Sequence, residues 1–423
     1  MRILWWIGIL FGLCLAVLYS YQWVYLFLPR VRKLFFRQRS SAAIEQASEP
    51  SSPHIAVCIA ARNEEMVLPH LLDSIRDQTM PADIFVIADN CTDGTAEAAK
   101  LHGAVVYERA DRCKVGKGYA LAALWDHMRA DGMYERYDAF LILDADNLLE
   151  RDYIAEMAKT LSEGYGIVTG FRNTKNFADN WISSGYGLWF LHESVHLNGS
   201  RSLLGTSAAV SGTGFCVRRT VLDKRGGWIY HSLTEDLEFW TDTVIRGEKV
   251  GYCPRAVLYD EQPDRFADSV RQRVRWIKGG IQVSLRYGAR LLSAVFAPGR
   301  SWRERYAALE CATLSLWGYG TSAAVSLFGT ITGILYSPFS RTMPFWAIGG
   351  AALGYILSTL LTAVLTVYES RGRIRATRAE ITRAVLTYPL FVATFAIPVV
   401  LAFFQKPDWK PIPHRRAVGI TEI

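Results

Sequence analysis

The apolar residues of this chain fall into distinct blocks. Residues Ile3 to Leu28 carry no charged side chain. A helix rising roughly 1.5 Å per residue over that run is long enough to cross a hydrocarbon layer about 30 Å thick. A cleaved leader would have an apolar core of roughly 7–15 residues ending in small side chains. This run is longer and ends in Pro29, Arg30, Arg32, Lys33, Arg37 and Arg39. Such a basic flank belongs on the cytoplasmic side, so the N-terminus is expected outside and the chain after residue 30 inside. Apolar runs return at 311–336, 345–367 and 384–404, which read as about three further spans. Arg371, Arg373, Arg375, Arg378 and Arg383 put the loop between the last two inside, and the loop at 337–344, with Arg341 alone, fits the outside. Three full crossings would carry Lys406, Lys410, Arg415 and Arg416 outside, against the same rule. Pro389 and Pro398 interrupt the last span, and a broken or re-entrant helix there would return the tail to the cytoplasm. Glycines at 318, 320, 329, 333, 349, 350 and 354 allow close helix packing, or the lining of a passage.

Between these blocks the pattern changes. Residues 40–53 are small and polar with prolines, which marks a linker. Short β-branched runs then alternate with helical spacing. His54–Ala60, Asp83–Ala88, Ala104–Tyr107 and Ala139–Leu143 read as strands; Glu64–Asp77, Thr95–His102 and Gly118–Met128 read as helices. This order predicts an α/β fold with a mainly parallel sheet covered by helices. The expected organisation is a membrane helix at 1–29, a basic segment and linker at 30–53, a catalytic domain at 54–280, an amphipathic interface helix at 281–303, membrane helices at 304–404 and a tail at 405–423.

Charge adds little. The formal balance is +7, without the one-sided basic clusters and interleaved aromatics of a nucleic-acid binder. The seven cysteines lie at 14, 58, 91, 113, 216, 253 and 311 with no CxxC pair. That spacing suggests neither a zinc site nor a disulfide framework and fits a reducing compartment.

In parallel sheets ligands bind at the carboxyl ends of the strands, so the polar residues there are the candidates for chemistry. After the first strand come Arg62, Asn63 and Glu64; after the second, Asp89; after the last, Asp144 and Asp146 around a single alanine. In an extended segment side chains at i and i+2 point the same way. Asp144 and Asp146 can therefore offer hard oxygen donors to Mg²⁺ or Mn²⁺, although such a tripeptide also occurs in ordinary loops. Thr234, Glu235 and Asp236 open a helical pattern, with Thr234 placed to cap it. Asp236 is a candidate general base, because an acceptor hydroxyl needs a carboxylate within hydrogen-bond reach. Gln272, Arg275 and Trp276 share one helical face. They offer an amide, a guanidinium suited to a diphosphate and a flat ring on which a sugar can stack. A basic helix lying on a membrane is the plainer reading of that segment, and Arg271, Arg273 and Lys278 fit it. His192 and His196 lie four apart, but with no third ligand nearby a buried structural role is the simpler assignment. Glu261 is a candidate organiser of the loop over the site.

The order Asp89, Asp144-Ala-Asp146, Thr234-Glu235-Asp236, Gln272-Arg-Val-Arg275-Trp276 resembles the D, DxD, [TE]ED, QxxRW series of membrane-embedded family 2 glycosyltransferases. That family includes synthases of cellulose, chitin, hyaluronan and poly-N-acetylglucosamine. The resemblance covers about residues 54–280 plus the flanking spans. It implies a GT-A fold, a nucleotide-sugar donor, most often a UDP-sugar, and a divalent Mg or Mn cation. By the same resemblance Asp89 with Ala61, Asn63 and Glu64 would hold the uracil, and Lys117 would approach the diphosphate. Asp144 would sit by the ribose and diphosphate, and Asp146 would ligate the metal. Asp236 would deprotonate the acceptor and invert the anomeric centre. Gly212 and Phe215 would shape the acceptor pocket beside Glu235, and Gln272, Arg275 and Trp276 would hold diphosphate and acceptor. Ala88 stands where many members carry a second Asp. The expected product is a growing β-linked polysaccharide at the plasma membrane; a single transfer to a membrane lipid is the alternative. A receptor or transporter with a degenerate nucleotide domain would not need Asp144, Asp146 and Asp236 together.

Overall fold

The computed structural model describes residues 2–35, 52–314, 343–405, 414 and 416–423. Eight strands among them form one sheet: β1 (Ile55–Ala61), β2 (Asp83–Asp89), β3 (Val105–Arg109), β4 (Ala139–Asp144), β5 (Leu148–Leu149), β6 (Ile167–Thr174), β7 (Phe215–Arg218) and β8 (Val250–Asp260). Their spatial order is β3-β2-β1-β4-β7-β6-β8-β5. The β3-β2-β1-β4 half is parallel, as the alternating pattern predicts. The other half is mixed: β7 runs antiparallel to β4 and β6, while β6 and β8 pair in parallel. Alternate residues of each strand serve opposite cores. Cys58, Phe85, Phe140 and Ile142 pack against Leu121, Leu124 and Trp125. Val57, Val86, Leu141 and Leu143 pack against Leu68, Leu71, Tyr153 and Met157. The burial of both faces explains why these strands read as continuous apolar runs.

Element ends shift by a few residues. The helix expected from Glu64 begins at Leu68, because Pro69 lacks an N–H and is tolerated only in a first turn. The stretch Trp181–Leu204 is helical throughout but carries a π turn at Glu193–Asn198 between helices Trp181–His192 and Gly199–Leu204. Gln272–Trp276 lie on one unbroken helix, Phe266–Phe296, which runs through position 280 where a domain boundary was expected. Its Leu285, Leu292 and Phe296 are exposed.

Three stretches among the described residues are long and apolar enough to cross a membrane: Gly12–Val31, Gly349–Glu369 and Arg378–Phe404. The first contains a break at Ser20, whose hydroxyl donates to the Val17 carbonyl. The third breaks at Thr394–Phe395, between helices Arg378–Ala393 and Ala396–Phe404. Beyond Leu314 the expected span at 311–336 lies outside the described residues, as does the linker at 40–51.

Buried polar contacts fasten the first helices to the domain. Glu310 accepts from Arg201 Nε at 2.9 Å and from the Tyr25 hydroxyl at 3.1 Å. Ser200 donates to the Tyr25 carbonyl, and Arg30 pairs with Glu369 at 2.9 Å. At the other end of the chain, Arg416 pairs with Asp179 and its backbone N–H donates to Glu261. The tail therefore rests on the catalytic domain.

Candidate active site

The carboxyl ends of β1, β2 and β4 open onto one cleft, with a cavity volume of about 220 Å³. Ala61, Glu64, Asp89, Lys117, Asp144, Asp146, Gly212, Glu235, Asp236, Gln272, Arg275 and Trp276 all line it. Two expected residues do not. Asn63 adopts a left-handed backbone (φ 57°) and its side-chain Oδ1 accepts from the Thr92 N–H, tying two strand-end loops together. Phe215 lies in β7, buried against Trp228 and Phe239. It supports the floor of the cleft from within the core.

Asp89 accepts from Arg109 Nη1 at 2.5 Å and from Asn90 at 3.1 Å. The sequence reading passed over Arg109, which ends β3 in register with Asp89. Lys117 opens helix Lys117–Ala130; its ammonium donates to Asp144 at 2.5 Å and to the Gly212 carbonyl at 2.8 Å. Burial pulls its pKa down, but Asp144 and Glu235 outweigh burial and hold the ammonium above its ordinary value. Gly118 follows immediately. A Cβ there would sit 2.1 Å from the Tyr230 carbonyl oxygen, which is backbone and cannot yield. Gly118→Ala is expected to cost about 1–3 kcal/mol of stability and to displace Lys117. A thermal unfolding midpoint equal to wild type would contradict this.

Asp144 and Asp146 both line the cleft but take different hydrogen-bond partners. Asp144 is held by Lys117, and its N–H donates to Thr213 and Asn147. Asp146 accepts from the Glu261 N–H at 3.0 Å and from Asn147. His414 of the tail lies 3.7 Å from Asp146, 3.6 Å from Glu64 and 3.8 Å from Glu261. Nothing in the local sequence around residue 414 signals this; only the return of the tail brings it there. Burial pushes the Glu64 carboxyl up to about 8 despite His414. His414 itself is raised: burial opposes its charge, but Asp146, Glu64 and Glu261 overcome burial. Among the described residues no three His, Cys, Asp or Glu side chains are arranged to hold an ion as placed. The donors round Asp146 are nevertheless the hard carboxylates that Mg²⁺ and Mn²⁺ prefer.

Across the cleft, Asp236 accepts from the Gly212 N–H at 2.6 Å. Gly212 sits at φ +73°, a conformation that favours glycine. Thr234 takes the N-cap position of helix Glu235–Ile245, but its side chain makes no capping bond. It packs instead against Gly279, where a Cβ would come within 2.4 Å of the Thr234 hydroxyl. Trp276 is held edge-on by Tyr186 and Phe190 at 5.9 and 6.2 Å. Gln272 Oε1 is buried without a partner. His196 is buried and His192 half-buried, both away from the cleft lining with their rings 5.2 Å apart, and desolvation drives the pKa values of His192 and His196 down to about 3 and about 4.

The Glu235 carboxyl is pushed up from 4.5 to about 7, first by burial and then by Asp236. The folded chain therefore holds this proton more tightly than the unfolded one. Stability from this group is lost as pH rises from 4.5 to about 7. In Glu235→Gln the fall in unfolding temperature across that window is expected to be shallower; an unchanged slope refutes the assignment.

Comparison with known proteins agrees with this architecture. A family model described as glycosyltransferase like family 2 matches residues 53–279. Probable glycosyltransferase YdaM of Bacillus subtilis is 27% identical over 248 residues, covering 56% of this chain and 57% of that protein. Beta-monoglucosyldiacylglycerol synthase of Nostoc sp. is 25% identical over 267 residues, covering 60% and 54%. Poly-beta-1,6-N-acetyl-D-glucosamine synthase of Staphylococcus epidermidis is 26% identical over 246 residues, covering 55% and 56%. The chain thus spans about half the length of the curated relatives it matches. Among solved structures, the mannosyltransferase PcManGT from Pyrobaculum calidifontis, determined with GDP-Man and Mn²⁺, aligns with a TM-score of 0.55 at 17% identity. It covers 92% of this chain and 99% of that one, a likeness of GT-A fold. The matched family segment takes in more than half of the chain and all four motifs around the cleft, and the chain belongs to the family 2-like glycosyltransferases.

Proposed function

We propose that this glycosyltransferase takes a sugar from a nucleotide diphosphate-sugar, in the first instance a UDP-hexose or UDP-N-acetylhexosamine. The acceptor is the hydroxyl end of a growing β-linked polysaccharide, and the anomeric centre is inverted. The observation that carries this is the Ser211–Gly212 segment. Its Gly212 carbonyl takes the Lys117 ammonium that holds Asp144, and its Gly212 N–H takes the Asp236 carboxylate. Donor and acceptor sides of the cleft are thereby fixed to one residue.

In this reading Asp89 and Glu64 face the nucleotide, Asp144 its ribose and diphosphate. Lys117 and Arg275 hold the diphosphate and offset its charge as it leaves. Asp236 accepts the proton of the attacking hydroxyl. Attack from the side opposite the departing diphosphate inverts the centre in one displacement. Trp276 and Gln272 support the acceptor ring, with Glu235 at its edge. Asp146, with Asp144 two residues before it, would hold a divalent cation, Mg or Mn, which when bound neutralises diphosphate charge. The three apolar stretches support placement in a membrane, and the basic residues after the first support a cytoplasmic cleft in the plasma membrane. A single transfer to a lipid acceptor is the second reading, favoured by the likeness to beta-monoglucosyldiacylglycerol synthase.

The test is to incubate the purified full chain in nanodiscs with UDP-sugars and Mg²⁺ or Mn²⁺ and to size the product. A ladder of lengths supports polymerisation. One lipid-bound sugar supports the second reading, and no UDP release from any donor sinks both.

A further inference from the structure

Arg172 lines the cleft but belongs to none of the four motifs. It ends no strand and starts no helix; it lies within β6, where it pairs with Leu258 of β8. Its backbone is clamped by the π turn, because Ser194 Oγ both receives the Arg172 N–H (3.1 Å) and donates to the Arg172 carbonyl (3.2 Å). One edge of the guanidinium is taken by Asp260, with Nε to Oδ2 at 2.7 Å. One face lies on the Phe190 ring, 3.6 Å from its centroid. A further N–H, on Nη1, donates to the Ser211 carbonyl at 3.1 Å.

That carbonyl and the Gly212 N–H are the two ends of a single peptide unit, which is planar and turns as one body. Arg172 holds its oxygen end, and Asp236 is held by its N–H end. A glycine follows, so the local backbone resists rotation of this plane less than any other residue would. A guanidinium on the carbonyl also polarises the amide and strengthens the bond its N–H makes.

We infer that Arg172 is a positioning residue: it sets the plane of the Ser211–Gly212 peptide and through it the direction of the Asp236 carboxylate. This rests on the reading of Asp236 as the base. The same side chain reaches Asp260, whose neighbour Glu261 donates its N–H to Asp146, so one guanidinium spans the acceptor and donor halves of the cleft. Lysine cannot replace it, since bridging two acceptors at fixed angles needs the planar fork.

The test uses the full chain in nanodiscs. Arg172→Ala is expected to lower kcat about 10- to 100-fold, the scale of a misplaced reacting group, with donor KM and UDP affinity within about threefold of wild type. Added guanidinium ion is expected to restore part of kcat. Arg172→Lys keeps a cation and its stem, and is expected to fold yet lose kcat to a similar degree, which covers the case of an unstable alanine variant. In an Asp236→Asn background Arg172→Ala is expected to cost little more, because both act through one carboxylate. Wild-type turnover in Arg172→Ala, a loss lying wholly in donor KM, or full additivity with Asp236→Asn overturns the inference. Failure of the base assignment looks different: Asp236→Asn alone would then turn over normally.

Discussion

Asp236→Asn is expected to lower sugar transfer by about 10²- to 10⁴-fold, the usual contribution of a positioned general base, while UDP-sugar affinity stays within about threefold. The substitution is chosen for its geometry. The asparagine oxygen can still accept from the Gly212 N–H that now holds the carboxylate at 2.6 Å. What disappears is the basic lone pair that would take the acceptor proton. Lys117, Asp144 and Asp89 keep their own partners, so the donor side should be undisturbed. The measurement is UDP release with acceptor present, set beside calorimetric UDP binding. Turnover near the wild-type rate would remove Asp236 from the mechanism. A parallel loss of UDP affinity would move it to the donor side.

The largest expected effect on stability lies far from the chemistry. Arg201 and Glu310 form an ion pair in which both side chains are almost wholly buried, 1% and 2% exposed. Arg201 also donates to Asn198, and Glu310 also accepts from Tyr25. Arg201→Met leaves the Glu310 charge buried without its guanidinium and is expected to destabilise the chain by about 3–5 kcal/mol. Replacing both, as Arg201→Met with Glu310→Leu, is expected to recover most of that loss, because two paired charges leave together. Unfolding midpoints of the single and double variants in the same nanodisc decide the matter. A double variant as weak as the single one would show that the pair is not an isolated unit.

Much of the catalytic half was legible because its physics is local. β1, β2 and β4 are buried on both faces and so read as short apolar runs, and the acids that follow them are forced to the cleft by strand direction alone. Asp89, Asp144 and Asp146 therefore line it as expected, and Asp236 joins them from the first turn of helix Glu235–Ile245. The mixed half of the sheet was not legible. β7 is four residues long and β8 contains Pro254 and two exposed positions, so neither shows a clean period. Asn63 and Phe215 illustrate the limit of motif reasoning. One ties two loops and the other packs against Trp228, roles set by neighbours distant in sequence. Arg172, Asp260 and His414 were missed for the same reason: each matters through partners far along the chain, with separations of 88 residues for Arg172 and Asp260.

The resting place of the tail carries a topological corollary. His414 beside Asp146 and Arg416 on Asp179 put the end of the chain in the same compartment as the cleft. Where the apolar stretches cross a membrane, as proposed above, a tail and a cleft on one side require an even number of crossings between them. Two of the apolar stretches, Gly349–Glu369 and Arg378–Phe404, satisfy that parity as a hairpin. Three complete traversals do not. With the cleft cytoplasmic, as proposed, an epitope fused after Ile423 is expected to be shielded in sealed cells and reachable only when the membrane is opened.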